Sequence, residues 1–159
     1  MIVKIICVGK LKERYLRDAI GEYTKRLGRY ARVSIIEEKD EPAAEALSKR
    51  ERAQILDTEG RRILDKINDR DYVVGLAIRG RELSSEDLAS FIKDKMDHGS
   101  STMCFVIGGS LGLSRDVENR ADALISFSRL TFPHQLMRVI LMEQIYRSFK
   151  IINHEPYHK

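Results

Sequence analysis

Two short apolar runs in the second half of the chain, each followed at once by turn residues, constrain the fold most. Residues 103–107 lead into Gly108-Gly109, and residues 123–127 lead into a polar segment at 128–133. Short apolar runs bounded by turn residues are typical of buried strands. Open α/β sheets bind their ligands beyond the carboxyl ends of strands. We therefore expect a ligand site at these two strand exits.

The rest of the chain alternates strand-like runs with amphipathic periodicity. Further strands are predicted at 1–8, 33–36 and 72–78, and helices at 13–30, 43–67, 84–98, 114–121 and 133–150. This alternation predicts an α/β fold with one parallel sheet flanked by helices in three layers. The last helix is apolar around much of its circumference, which leaves two interpretations open. It crosses the core, or part of it packs against another subunit.

Length and composition indicate one globular domain, because 159 residues that are 43% hydrophobic and 33% charged can bury a core. The net charge of +4 is compatible with RNA or another anionic partner but does not establish one. Cys7 and Cys104 lie inside apolar runs and are expected to be buried, inert thiols. Lys4 interrupts the short N-terminal apolar stretch, so neither a signal peptide nor a membrane span is predicted. We expect a cytoplasmic protein.

Several motifs remain ambiguous from the residues alone. The turn at 108–112 matches neither a Walker A loop nor a dinucleotide fingerprint, so it is a plain tight turn or a ligand loop. His154 and His158 lack a further ligand nearby, and no metal site is expected. The tail at 153–159 contains either fraying residues or groups that stack on a base, move a proton and hold a phosphate. Basic clusters at 25–32 and 49–52 are either solvated helix faces or phosphate-contacting surfaces.

Four sequence blocks occur together in the second half of the chain. They are Ile107-Gly108-Gly109-x-x-Gly112, Leu130-Thr131-Phe132-Pro133-His134-x-Leu136-x-Arg138, Glu143-Gln144-Ile145-Tyr146-Arg147 and Asn153-His154-x-Pro156-Tyr157-His158. In this combination the chain closely resembles the ribosomal RNA large subunit methyltransferase H family of the SPOUT class. The resemblance covers residues 1–159 and implies a single SPOUT-like methyltransferase domain. It also implies a C-terminal trefoil knot, a rare exception to the rule that chains do not thread their own loops.

The resemblance further implies a homodimer that binds S-adenosyl-L-methionine in the knot. The reaction would be methyl transfer to N3 of a pseudouridine in a stem-loop of 23S ribosomal RNA, on assembled ribosomes. Carried over by position, the cofactor-binding residues would be Leu76, Gly108, Phe127, Ser128, Arg129, Leu130, Thr131 and Phe132. Leu76 and Leu130 would sandwich the adenine ring, while backbone groups of these segments would read its edge.

Tyr157, His158 and Lys159 resemble the catalytic tail of this family, which would close over the cofactor pocket of the neighbouring subunit. Some relatives carry Arg at the last position. Lys159 cannot form a planar bidentate grip, so its expected contribution is charge. The base that removes the N3 proton is left open between His158 and solvent.

Substrate recognition would fall to the surface of the dimer, because no separate RNA-binding domain fits in this length. Arg129, Arg138 and the basic N-terminal helices are candidate RNA contacts. Two other functions remain possible from the sequence. One is a non-catalytic, dimeric, ribosome-associated RNA-binding protein with the same fold, and the more distant one is a nucleotide-binding regulatory module.

Overall fold

The computed structural model describes all 159 residues, Met1–Lys159, as strands and helices that alternate along the chain. The strands are β1 (Ile2–Val8), β2 (Arg32–Glu38), β3 (Tyr72–Glu82), β4 (Thr102–Ile107) and β5 (Ala123–Ser126). The helices are α1 (Arg14–Leu27), α2 (Lys49–Leu64), α3 (Ser85–Asp97), α4 (Arg115–Arg120) and α5 (His134–Ile152). All strand pairs are parallel, in the order β2-β1-β4-β3-β5. The predicted parallel sheet flanked by helices is confirmed.

The sheet separates two hydrophobic cores, because successive side chains of a strand point to opposite faces. In β1, Val3, Ile5 and Cys7 join the larger core beneath α1, α3 and α5. Ile6 and Val8 join a smaller core beneath α2 and α4. The predicted three layers are therefore present. Cys7 and Cys104 are buried as expected, and burial raises the pKa of both thiols to about 12.

Capping residues determine where the helices begin. Ser84 caps α3, and its hydroxyl accepts a hydrogen bond from the backbone N–H of Asp87 at 3.0 Å. In α2, the backbone N–H of Glu51 donates to the Ser48 hydroxyl, and the backbone N–H of Ser48 donates to the Glu51 carboxylate. The predicted start of this helix at residue 43 is wrong, because the Ser48 cap fixes the first turn at Lys49.

Gly60 lies where helices α2 and α4 come into close contact. It is buried within α2, and a Cβ atom there would overlap the Ser114 side chain, which caps α4. Glycine at this position therefore allows α2 to approach the start of α4.

The predicted end of β3 at residue 78 is also wrong. Leu76 and Arg81 both pair with Ile125 of β5, so residues 77–80 leave the ladder and the strand then resumes. A Cβ atom at Gly80 would lie 2.5 Å from the backbone carbon of Ile125, which requires glycine at this close approach. The excursion places residues 77–79 beyond the edge of the sheet.

Helix α5 lies between α1 and α3 and contributes much of the larger core, including Leu141, Met142, Ile145 and Phe149. Its inner face thus crosses the core, one of the two predicted alternatives. Packing of its remaining apolar surface against another subunit stays a prediction, as does the trefoil knot. None of the helices combines the length and the apolar character needed to cross a membrane.

Candidate functional site

A cavity of about 960 Å³ opens beyond the carboxyl ends of β3, β4 and β5. Its walls come from the excursion of β3, from the glycine turn after β4 and from the segment that joins β5 to α5. The volume lies near the upper end of the range for small-molecule sites, about 300–1,000 Å³. The strand exits singled out in the sequence therefore converge on one cavity.

Seven of the eight predicted cofactor-binding residues line this cavity. They are Leu76, Gly108, Phe127, Ser128, Leu130, Thr131 and Phe132. Arg129 belongs to the same segment, but it is exposed and is not part of the lining. The structure thus brings the predicted set together, while their binding of a cofactor stays a prediction.

The glycine turn is both a tight turn and part of the cavity wall. The N–H of Gly112 donates to the carbonyl oxygen of Gly109 at 3.1 Å, and Gly112 has a φ of +87°. A Cβ atom at Gly108 would overlap the carbonyl group of Gly112. The two interpretations left open by the sequence are therefore compatible, because a turn this tight exposes backbone groups to the cavity.

Arg138 joins the start of α5 to the carboxyl ends of β1 and β2. Its Nη1 donates to Oε2 of Glu37 at 2.6 Å, and its Nη2 donates to the carbonyl oxygen of Gly9 at 2.9 Å. Its side chain is only 1% exposed, and Nε has no hydrogen-bond partner. The expectation that Arg138 contacts RNA is therefore wrong. Its guanidinium instead anchors the helix that follows the cavity segment.

The C-terminal tail turns back onto its own helices. His154 has a positive φ of 54°, and the chain then places the Tyr157 ring against that of Tyr146, with centroids 5.0 Å apart. Glu155 accepts hydrogen bonds from Tyr30 at 2.7 Å and from Lys150 at 2.5 Å. These contacts hold the tail in place, so fraying does not describe it.

Tyr157 is held as a hydrogen-bond donor. Its hydroxyl donates to Oε1 of Glu143 at 3.1 Å, and the Arg147 guanidinium lies 4.7 Å from its ring centroid. Burial, followed by the negative charge of Glu143, raises the pKa of Tyr157 to about 12. The phenol therefore keeps its proton at neutral pH, which suits stacking and hydrogen bonding better than proton abstraction.

The neighbours of His158 fix the tautomer of its neutral ring. Nη1 of Arg147 lies 3.3 Å from Nδ1, and Oε1 of Glu86 lies 2.9 Å from Nε2. A guanidinium only donates and an ionised carboxylate only accepts, so both contacts are satisfied when Nε2 carries the proton. Both ring nitrogens are then engaged. Lys159 is exposed at the chain end.

The tail residues and the cavity are separate within one chain. Tyr157 and His158 contact α3 and α5, and none of the last three residues lines the cavity. The two groups of predicted site residues can therefore act together only if the tail moves or a second chain supplies it.

The family model described as "Predicted SPOUT methyltransferase" matches residues 1–158 of the chain. The chain belongs to the SPOUT methyltransferase family. Its curated relatives include proteins named "Ribosomal RNA large subunit methyltransferase H". The protein of that name from Limosilactobacillus reuteri is 58% identical, the one from Lactobacillus gasseri 56% and the one from Carboxydothermus hydrogenoformans 55%, each over all of both chains. The resemblance drawn from the four sequence blocks is confirmed.

Some cavity residues of this SPOUT methyltransferase have no signal in the sequence. Arg79, in the excursion of β3, forms an ion pair with Glu118 of α4 at the cavity wall, with Nε 3.2 Å from Oε1. These residues are 39 positions apart, and only the folded sheet brings them together. No group of three or more His, Cys, Asp or Glu side chains is placed to hold a metal ion.

His134 is a cavity residue that the sequence did single out, although without a role. It follows Pro133 at the start of α5 and lies close to Gly9, where an added Cβ would be 3.4 Å from its Nε2. Burial, assisted by the charge of Arg138, lowers the pKa of His134. The imidazole is therefore neutral at physiological pH. Membership of a methyltransferase family implies a methyl donor.

Proposed function

We propose that this chain is an S-adenosylmethionine-dependent methyltransferase that modifies N3 of a pseudouridine in a stem-loop of 23S ribosomal RNA. The observation that carries the proposal is the convergence of three strand exits on one cavity in a SPOUT methyltransferase. Relatives 55–58% identical over the full length are named ribosomal RNA methyltransferases, which supports the RNA substrate. The whole chain, 1–159, would form this one methyltransferase domain.

The cavity residues fit the chemistry of the proposed cofactor. Leu130 is 71% exposed and Ile78 is 59% exposed, although both contribute to the wall. Large apolar side chains left uncovered in a cavity are suited to cover the faces of a planar ring. Leu76 and Leu130 would hold the adenine ring, while Gly108 and the backbone of 127–132 would hydrogen-bond the cofactor. When bound, S-adenosylmethionine supplies an electrophilic methyl group on a positively charged sulfur.

The chain itself has two tasks in this reaction, namely to align the acceptor nitrogen with the methyl group and to assist the loss of the N3 proton. Tyr157 is suited to orient the acceptor, because its phenol stays protonated and can stack or donate. Lys159 contributes positive charge near the RNA. His158 can accept the proton only after its contact with Arg147 breaks, because Nδ1 is the unprotonated nitrogen. If that contact persists, solvent accepts the proton.

A homodimer would bring the two parts of the site together. The tail does not line the cavity of its own chain, so the tail of one subunit would cover the cavity of its partner. Tyr15, Leu130 and Leu136 are large hydrophobic side chains exposed on the single chain, as expected of surfaces that become covered on assembly. The substrate would be ribosomal RNA within the assembled ribosome, which places the protein in the cytoplasm.

Calorimetry and methyl incorporation test the proposal together. We expect measurable binding of S-adenosylmethionine and transfer of labelled methyl groups to ribosomes from a strain that lacks this protein. Deleting residues 157–159 should abolish transfer and leave cofactor binding largely intact, because these residues lie outside the cavity. The full-length chain with Lys93→Gln, a change at an exposed position of α3, serves as the control.

One result would contradict the enzyme assignment, and another would contradict only the role of the tail. Undetectable cofactor binding combined with no methyl incorporation would leave a non-catalytic, ribosome-associated protein. Full activity of the truncated chain would remove the tail from the mechanism while leaving the enzyme assignment intact.

A further inference from the structure

The positive charge of the chain is concentrated in one segment. Residues 10–32 carry eight Lys or Arg and three Asp or Glu, a net charge of +5. The whole chain has a net charge of +4, so the other 136 residues together have −1. The second basic cluster of the sequence, at the start of α2, lies in a segment with a net negative charge. Residues 40–65 carry five basic and seven acidic side chains.

All eight basic residues of this segment are exposed. They are Lys10, Lys12, Arg14, Arg17, Lys25, Arg26, Arg29 and Arg32. The inner stripe of α1 consists of Leu16, Ile20 and Leu27, which are buried and leave the charges on the outer side. We refer to these eight residues as the α1 basic face.

Most of the cations on this face have no carboxylate partner. Arg26 pairs with Glu22 and Arg14 contacts Asp18, while Arg17 donates to backbone carbonyl groups of the preceding loop. The remaining five side chains have no carboxylate within 4.0 Å, and they are Lys10, Lys12, Lys25, Arg29 and Arg32. Lys25 lies in the last turn of α1, and Arg29 follows its C-cap residue Gly28.

The α1 basic face is continuous with the C-terminal tail. The Arg26 guanidinium lies 5.7 Å from the ring centroid of Tyr23 and 5.8 Å from that of Tyr146. Tyr146 in turn packs edge-on against Tyr157, the first residue of the proposed catalytic tail. A polyanion bound at the C-terminal end of α1 would therefore lie next to the tail.

We infer that the α1 basic face binds the sugar-phosphate backbone of the ribosomal RNA substrate and leads it to the C-terminal tail. This inference rests on the proposed function and names the surface that recognises the substrate. Exposed cations without carboxylate partners, grouped around the two ends of α1, match a polyanion, and they give affinity without base specificity. The partly exposed rings of Tyr23 and Tyr157, with the exposed Arg26 guanidinium, resemble the aromatic and cationic platforms that contact RNA.

The inference is tested by removing two free charges from the face. In the Lys25→Gln/Arg29→Gln variant, binding to ribosomes from a strain lacking this protein should weaken at fixed Mg²⁺. The slope of log affinity against log monovalent salt should fall by roughly 2, since each lost phosphate contact removes about one unit. In methyl transfer the KM for ribosomes should rise while kcat changes little, and S-adenosylmethionine affinity should stay the same.

Two matched variants separate this effect from a loss of folding or of total charge. Lys25→Arg/Arg29→Lys keeps the charge of the face and should bind ribosomes as the unmodified chain does. Lys49→Gln/Arg50→Gln removes the same charge from two exposed, unpaired residues of α2 and should leave the salt slope unchanged.

Unchanged affinity and salt slope in the Lys25→Gln/Arg29→Gln variant would overturn the inference, and so would an equal loss in the α2 variant. Either result alongside normal methyl transfer by the unmodified chain would leave the proposed function standing. A chain that neither binds nor methylates ribosomes would contradict the proposed function and this inference together.

Discussion

Nη1 of Arg138 lies 2.6 Å from Oε2 of Glu37, and this ion pair joins the first turns of α5 to the end of β2. The two partners differ in exposure, since the Arg138 side chain is 1% exposed and that of Glu37 is 37% exposed. Replacing Glu37 therefore leaves a buried guanidinium, whereas replacing Arg138 leaves a carboxylate that is partly exposed to solvent. The pair also supports the segment 127–133, which runs from β5 into α5 and forms one wall of the cavity.

We predict that Glu37→Gln destabilises the chain more than Arg138→Met. The first change leaves a buried guanidinium without a charged partner, at a cost of about 2–3 kcal/mol. The second removes the buried charge, keeps much of the side-chain volume and leaves a carboxylate that water can reach. Urea unfolding of both variants measures the difference. If the two variants are equally stable, or if Arg138→Met is the less stable one, the unpaired buried guanidinium is not the main source of the destabilisation.

Glycine at position 108 is predicted to be essential for cofactor binding. Gly108→Ala places a Cβ atom on the carbonyl group of Gly112, so the turn must open and the cavity wall must move. Calorimetry with S-adenosylmethionine should show a loss of affinity of at least tenfold, about 1.4 kcal/mol.

Gly21→Ala is the matched control for this substitution. An added Cβ at Gly21 meets nothing within 4 Å, and the residue lies inside α1. Alanine there should stabilise the chain by about 0.5–1 kcal/mol and leave cofactor binding unchanged. Tight cofactor binding by Gly108→Ala would show that the turn can rearrange without loss of the site.

Much of this fold follows from local sequence. The five apolar runs are strands because each is short and bounded by turn residues, and their positions agree with the structure apart from the end of β3. The start of α2 was misplaced because apolar periodicity extends upstream of Ser48, whereas the cap determines the first turn. The continuation of β3 beyond Gly80 was missed because it depends on the pairing of Arg81 with Ile125, a tertiary contact that local sequence does not show.

The candidate site was partly accessible to sequence reasoning. Parallel strands place their carboxyl ends at one edge, so the convergence of Gly108 and the 127–132 segment could be predicted, whereas Leu76 was added by the family resemblance. Charged side chains are usually exposed, so the sequence did not predict that Arg138 is buried, and it was mistaken for an RNA contact at the surface. The contacts of His158 depend on the turn at His154, whose positive φ brings the tail back onto α5.

The stability of the chain should fall steeply above pH 9 because of its two thiols. The pKa of Cys7 and of Cys104 is raised from 9.0 to about 12 by burial. The folded state therefore keeps both protons when the unfolded state loses them, so this contribution is fully present below pH 9 and disappears as the pH approaches about 12. Each thiol accounts for up to roughly 4 kcal/mol over that range.

Urea unfolding at pH 8.5, 9.0 and 9.5 should reveal this loss. The Cys7→Ala/Cys104→Ala variant will be less stable at neutral pH because two buried side chains are shortened, but its stability should decline less over the same interval. Parallel curves for the two proteins would mean that the thiols ionise as readily in the folded chain as in the unfolded one.

The Tyr157 hydroxyl is predicted to contribute to the position of the tail separately from its ring. Tyr157→Phe loses the hydrogen bond to Glu143, about 1 kcal/mol, but keeps the edge-on contact with Tyr146. Tyr157→Ala loses both. Methyl transfer should therefore decrease in the order unmodified chain, Tyr157→Phe, Tyr157→Ala, with S-adenosylmethionine affinity unchanged throughout. Equal activity of the two variants would assign the whole effect to the hydroxyl.

The tautomer of His158 provides a direct test of the tail geometry. With Arg147 donating to Nδ1 and Glu86 accepting from Nε2, the neutral ring should carry its proton on Nε2. Nitrogen chemical shifts of the labelled ring at mildly alkaline pH report which nitrogen is protonated. The Glu86→Gln/Arg147→Met variant should remove both constraints and allow both tautomers, whereas Lys93→Gln at an exposed position of α3 should change nothing. A proton on Nδ1 in the unmodified chain would contradict the arrangement and would make Nε2 the nitrogen available to accept a proton.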